Sequence, residues 1–385
     1  MEILANFINI QLSHYVPIAE SEVSRLKTGY EGVVAHKCTN PNFAYAAQSE
    51  GTVQSVDEKS KTMIIRYKDG KKVCLPFGSE ATNNSANGFF VDQEVEVNGF
   101  KAGDKFKPGD ILVYNRQFFK ANPYDKQVEW KMGILAKVAI VDNGGTVEDA
   151  SIITRPLADK MVFNPIHVKE IVITKDTNVH FFADISTQVL NTEPLIVFEQ
   201  SALPFNTGDD KDLLESLSKL NRQAPKAGHS GTIMKIDALY KCPISQMSPT
   251  LQKLVRHVIK DKDARAERAE GCDNANQFRK SAPLAATTKI GTIDMTDETV
   301  ILRFYIKQNK SMNPGDKLFF DSALKSTVST VYDDYIMTED GEKVEACTSG
   351  RGILARLICS PFTQGLCNSV LEKLENDMIK MWKEA

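Results

Sequence analysis

The chain has 385 residues, 47 of them basic and 50 acidic, for a formal charge of −3. That balance excludes a nucleic-acid binder working by bulk positive charge and leaves room for a local basic site. Apolar residues make up 42% and charged ones 25%, so the chain can bury a core, wholesale disorder is excluded, and roughly 150 residues per domain gives two or three domains. No run approaches the ~20 apolar residues of a bilayer span, and no basic segment precedes an apolar one at the N-terminus; the chain reads as soluble, not secreted, with no membrane partner. Seven cysteines without CxxC spacing and six scattered histidines argue against a zinc site or a disulfide framework, and for thiols in a reducing compartment.

Taken in chain order, short β-type runs dominate. GTVQSVD from Gly51 reads as a strand, and KTMIIRYK followed by DGKK and VCLPF reads as a hairpin turning on aspartate-glycine. Residues 80–88, polar and rich in asparagine, read as a loop, as do residues 117–127. Between them FKPGDILVY sets a strand behind a proline-glycine corner. LAKVAIV from Leu135, EIVIT from Glu170, HFFAD from His180 and LIVFE from Leu195 are further strands. His167 and His180 lie within such runs and read as packed core groups. A short helix is expected over 210–220, next to a loop over 208–212. GTIMKID at Gly231 and GTIDMTD at Gly291 open like the strand at Gly51. Residues 248–270 carry Leu251, Leu254, Val255, Val258 and Ile259 at helical spacing, then turn charged toward solvent or a partner. Residues 271–288 read as a mobile loop. TVILRFYI from Thr299, MNPGDKLFF around Pro314 and GILARLIC from Gly352 read as strands. A last helix from about Thr363 puts Val370, Leu371, Leu374, Met378 and Trp382 on one side, as core or as a docking surface for another subunit.

Local motifs give no complete active site. There is no phosphate-binding glycine loop, no GxSxG elbow and no aspartate cluster able to hold two magnesium ions. Longer blocks say more. MNPGDKLFFDSALKSTVSTV places Lys317 and Lys325 eight residues apart, and GRGILAR downstream carries Gly352 and Arg356. TGYEGVVA from Thr28, GTVQSVD, PGDILVY, and the block from Met132 to Glu170 with Glu148, Asp149, Ile166, His167 and Glu170 precede them in order. Together these resemble the C-terminal half of the β subunit of multisubunit DNA-directed RNA polymerases, from about Val16 to Gln364. The departures are local. The family's MAGRHGN loop is LFFDSAL here, the glycine after the second lysine is Ser326, and Ser13, beside His14, stands where an arginine is expected. A start near the family's fork and a stop before its final module resemble a split β subunit like those of giant bacteriophages.

The resemblance implies a mainly β fold with a few helices (α+β): a double-psi β-barrel interrupted by a wall- or flap-like insertion and preceded by a β-rich hybrid-binding region. The implied segments are 1–50 (fork-proximal), 51–128 (hybrid-binding), 129–164 (first barrel half), 165–287 (insertion), 288–360 (second barrel half) and 361–385 (C-terminal helix). It implies a nucleotidyltransferase subunit with Lys317 and Lys325 as catalytic charges beside the RNA 3′ end. Arg356 would grip the nucleoside triphosphate, and Glu148 and Asp149 would touch substrate and a second magnesium through water. Arg356 would sit in an apolar strand, where an arginine is costly unless paired. The implied partners are a β′-like subunit holding the catalytic Mg2+, an N-terminal β fragment, template DNA, the RNA transcript and NTPs. The implied location is the cytoplasm of an infected bacterial host, with packaging in a virion open. The competing reading is a non-catalytic, polymerase-derived barrel acting as a structural or assembly factor.

Overall fold

Six strands pair in a circuit that returns to its start. In the computed structural model, which describes residues 2–10, 18–37, 42–84, 89–200, 222–284, 289–321 and 324–384, these are β1 (Glu2–Ile10), β2 (Val128–Ile140), β3 (Ala150–Thr154), β4 (Lys317–Phe320), β5 (Leu324–Tyr332) and β6 (Ala346–Thr348). The order is β1–β4–β5–β3–β6–β2, and β2 pairs with β1 again. Two pairings, β3 with β5 and β2 with β6, are parallel, and the rest are antiparallel. Parallel neighbours cannot be joined by a tight turn, so the circuit is assembled from segments far apart in sequence. The expected helix over 210–220, the loop over 208–212 and the Ser13–His14 pair fall outside the described residues.

The circuit encloses a core because its strands alternate. Ile134, Ala136 and Val138 of β2, Leu318 and Phe320 of β4, and Leu324 and Val328 of β5 all point inward, at the period of two that a pleated strand dictates. A short helix, α1 (Arg155–Lys160), adds Leu157 and Ala158. Burying Phe320 alone contributes about 1.5–3 kcal/mol.

A second sheet is antiparallel throughout. Its order is Gln188–Val189, Gly231–Tyr240, Thr299–Lys307, Pro165–Thr174, Phe89–Val97, Ile111–Asn115 and Ala44–Ala46. Thr299–Lys307, assigned by sequence to the second barrel half, pairs with Pro165–Thr174 and Gly231–Tyr240 in this sheet. Of the loop expected over 80–88, residues 80–84 belong to a strand, Gly78–Asn84, paired residue for residue with Phe89–Val97, because a ladder partner outweighs weak intrinsic β preference; residues 85–88 fall outside the described residues. The hairpin of Thr62–Tyr67 and Lys72–Pro76 forms as expected, in a third sheet with Gly51–Asp57.

Two of the three similar strand openings are the same device. A Cβ on Gly51 would sit 2.4 Å from the Arg66 carbonyl oxygen, and one on Gly231 would sit 2.3 Å from that of Lys307. Only glycine lets the neighbouring strand come so close. Gly291 differs: it lies at φ +59° in the turn between Lys289–Ile290 and Ile293–Asp294. The two PGD corners hold, and a third, KAGD, joins them. In each the aspartate carboxylate accepts from the N–H three residues earlier: Asp104 from Lys101 and Asp110 from Lys107 at 2.8 Å, and Asp316 from Asn313 at 2.9 Å.

Helix α2 (Pro249–Arg268) starts where Ser248 Oγ accepts from Leu251 N at 3.3 Å. Its charged end does not run free: Arg265 donates to the Ser60 carbonyl and Arg268 to Ser55 Oγ. The segment after it is equally tied. Asn274 exchanges two hydrogen bonds with the backbone of Cys74, and Asp273 exchanges two with Lys72, so the start of the loop expected over 271–288 is fixed to the edge of the hairpin; residues 285–288 fall outside the described residues. Helix α3 (Gly350–Arg356) replaces the strand expected at Gly352. Helix α4 (Ser360–Glu384) carries Phe362, Leu366, Val370, Leu374, Met378 and Trp382 at steps of four, all between 36% and 79% exposed. Its apolar side is therefore not core. No helix among the described residues is long and apolar enough to cross a membrane.

Candidate functional site on the strand circuit

Lys317 and Lys325 lie on neighbouring strands. The register sets Lys317 opposite Thr327 and Lys325 opposite Phe319, which makes the two lysines diagonal neighbours on one face, roughly 7–8 Å apart. Leu318, Phe320, Leu324 and Ser326 alternate with them and are buried, so the lysine face is the outer one. Both lysines are exposed, and neither has an ion-pair partner among the described residues.

Arg356 stands at the end of helix α3. Helix forms there because Ser349 caps it, with its Oγ accepting from Arg351 N at 3.1 Å, and because Leu357 closes the other end at φ +51°. The apolar Ile353–Leu354 pair that suggested a strand is simply the middle of this turn. Residues 141–149, between β2 and β3, hold the helix at both ends. Asp142 accepts from Ser349 Oγ at 2.6 Å and from Arg351 Nε at 3.2 Å. Asp149 Oδ2 accepts from an Arg356 terminal nitrogen at 2.6 Å. The Arg356 guanidinium holds the Asp149 carboxyl below the usual carboxylate range, and the Ser349 hydroxyl followed by Arg351 does the same for Asp142. Arg356 in turn is held above its ordinary value by Asp149.

Asp149 also holds the strand just after the second lysine. Its carbonyl accepts from Ser326 Oγ at 2.7 Å and from Thr327 N at 2.8 Å. Glu148 turns the chain for this at φ +54°, a region costly for residues other than glycine. Asp149 thus ties the strand carrying Lys325 through its backbone and holds Arg356 through its carboxylate, while the Glu148 side chain is exposed. Asp142, Ser349 and Arg351 escaped the sequence reading. The signal for them was the facing pair of patterns, DxxxxxxD and SxRxxxxR, each spaced to meet the other's ends.

Glu148 and Asp149 fit a resident magnesium poorly. Mg2+ needs six oxygens in a tight octahedron, Asp149 is committed to Arg356, and among the described residues no three His, Cys, Asp or Glu side chains gather. The remaining motif residues are structural. Glu31 of TGYE accepts from the Thr28 N–H and hydroxyl. Glu170 pairs with Arg303 at 2.6 Å across the second sheet. His167 stacks on His229 with centroids 3.8 Å apart, whereas His180, expected in the core, is exposed and reaches Glu199 at 3.3 Å.

The geometry defines a mainly β chain with a curled, self-returning sheet that carries an exposed lysine pair on its outer face. No family model matches it. The DNA-directed RNA polymerase subunit beta of Orientia tsutsugamushi (strain Boryong) is 26% identical over 168 residues, 42% of this chain and 11% of that protein. The likeness supports a relationship to RNA polymerase β subunits, and the matched stretch spans about a tenth of that relative's length.

Proposed function

We propose that the chain is a subunit of a DNA-dependent RNA polymerase, binding the RNA 3′ end, the RNA–DNA hybrid and the incoming NTP beside a metal site carried by a β′-like partner. The observation that carries this reading is the exposed Lys317–Lys325 pair on one face, without an ion-pair partner among the described residues. Attack of a 3′-hydroxyl on an α-phosphate builds negative charge on phosphoryl oxygens, so the reaction calls for fixed positive charge more than covalent help. The lysines act as point charges, and Arg356 offers its planar fork to the β- and γ-phosphates. Asp149 orients Arg356 and yields it to the stronger phosphate charge. Magnesium belongs to the partner subunit in this reading, with Glu148 limited to a contact through water, and no step at this chain's residues runs through the metal.

The circuit of six strands with two parallel pairings supports a double-psi barrel, with the second sheet as its insertion and hybrid-binding flank. The exposed stripe of α4 supports completion by other chains: an N-terminal β fragment and the β′-like subunit of a split, bacteriophage-type enzyme working in an infected bacterial cytoplasm. A tagged pull-down followed by primer extension with and without magnesium tests the proposal. Magnesium-dependent extension by a complex containing this chain is the expected result. Recovery of the chain alone, or of a complex inactive on every primed template, would favour a polymerase-derived scaffold.

A further inference from the structure

The third sheet runs in the order Lys72–Pro76, Thr62–Tyr67, Gly51–Asp57 and Lys105–Phe106. Its inner face is apolar, with Val53, Ile65, Tyr67, Val73 and Phe106 buried in one cluster. Its outer face is divided. At one end Ile64 and Cys74, opposite each other in the register, are covered by Ala269, Cys272 and Phe278 from the segment after α2. The cover stops at Asp273, whose carboxylate accepts from the backbone N–H of Lys72 at 2.8 Å.

Beyond that point the register lines up a bare row. Lys72 stands opposite Arg66, Arg66 opposite Thr52, and Thr52 opposite Lys105. Opposite residues share a face and neighbouring strands lie about 4.8 Å apart, so the row is roughly 14 Å long. Lys68 and Lys107 follow two residues along the chain from Arg66 and Lys105, about 7 Å away on the same face. Glu50 is the one carboxylate in these two rows, and it is paired with Lys68. The Lys68 ammonium, with a smaller contribution from Lys107, holds the Glu50 carboxyl below the usual carboxylate range. Arg66, Lys72, Lys105 and Lys107 have no ion-pair partner among the described residues, and of the four only Lys72 is part-buried.

Like charges opposite one another on a sheet are unfavourable, and solubility alone is served by mixed signs. A polyanion turns that repulsion into attraction. A double helix carries about one charge per 1.7 Å of axis, so a row of roughly 14 Å faces several phosphates whatever the sequence. Single-strand sites add aromatic side chains on which bases stack, whereas the rings of this sheet, Tyr67 and Phe106, are buried on the inner face. A site selective for an RNA–DNA hybrid has to sense the ribose 2′-hydroxyl. The row offers one hydroxyl, Thr52, among cations that contact phosphate and carry no information about base or sugar.

We propose that the outer face of the third sheet binds the phosphate backbone of a double helix, without preference for sequence or sugar, through Arg66, Lys72, Lys105 and Lys107. The inference rests on the register of this sheet and not on Lys317 and Lys325, so it and the polymerase reading can fail separately. The test is fluorescence anisotropy of the full chain carrying Lys317→Ala and Lys325→Ala, so that nucleic acid held by the circuit does not count. The probes are a labelled DNA duplex of about 20 base pairs, the RNA–DNA hybrid of the same sequence and one of its single DNA strands, with polyglutamate as competitor. Duplex and hybrid should bind within about threefold of each other and more tightly than the single strand, with a log–log salt slope of about −3 to −4. Arg66→Gln and Lys105→Gln should each flatten that slope by about one. Arg66→Glu combined with Lys105→Glu should weaken binding at least tenfold and leave the thermal midpoint in place, while Lys169→Gln, at an exposed position of the second sheet, should do neither. Any of four results would overturn the proposal: a single strand bound as tightly as the duplex, a hybrid preferred by more than about threefold, polyglutamate displacing the duplex better than unlabelled duplex does, or affinity unchanged by the double charge reversal.

Discussion

The two large sheets treat their lysines in opposite ways. In the second sheet Lys307 is clamped by two carboxylates, one of them the buried Asp92. Burial raises the Asp92 carboxyl and the pairing raises the Lys307 ammonium. On the circuit, Lys317 and Lys325 stand side by side with no such partner among the described residues. A lysine that builds structure is surrounded by compensating charge. A lysine kept for an anion from outside is left bare, and the fold tolerates the repulsion because water screens it.

Substitutions sharpen that contrast. Lys307→Met should cost the most, about 3 kcal/mol in urea unfolding, because it strands Asp92 as an uncompensated buried charge; a loss below about 1 kcal/mol would mean the clamp is not a structural element. Lys317→Ala and Lys325→Ala should leave stability within about 0.5 kcal/mol. In the assembled complex each should cut nucleotide addition at least tenfold, the loss of a charge contact of ~1.5 kcal/mol or more. Transcription unchanged by either one would remove that lysine from the catalytic assignment.

The tether can be probed by pH. The Asp149 carboxyl is depressed in the fold, so the Arg356 pairing adds stability above the ordinary carboxylate value, near 3.9, and loses it as pH falls through the lower folded value. Carboxyl NMR titration of Arg356→Gln should show the Asp149 midpoint moving up toward the ordinary value; an unmoved midpoint would show that another group sets it. The smallest effect belongs to Gly352. A Cβ there meets its neighbours no closer than 3.4 Å, at the Arg356 guanidinium, so Gly352→Ala should shift the unfolding midpoint little in either direction.

The sequence made much of the β character legible, because hairpin turns and alternation are local signals. Thr62–Pro76, the PGD corners and the long apolar strands are of this kind. The order of the circuit was not legible, since β2 meets β6 across more than two hundred residues and no local pattern encodes such a pairing. Helix α3 was misread for a related reason: an apolar GIL run fits either element, and the deciding groups are Ser349 and Asp142, the latter contributed from another part of the chain. Residues 80–84 and His180 failed in the same way, through partners that only the fold supplies. The lysine pair was visible as an interval of eight. Its lack of a carboxylate partner among the described residues was not.

The circuit also sets a clock on synthesis. β1 leaves the ribosome roughly 340 residues ahead of β6, about 20 to 70 seconds at elongation rates of ~5–20 residues per second. It can pair early with β2, but its other edge waits for β4, and β2 waits for β6. For most of translation the nascent chain therefore carries open strand edges that invite pairing with a neighbouring polypeptide. Producing this chain in good yield should respond to slower elongation or to added chaperone capacity more than to any single stabilising substitution.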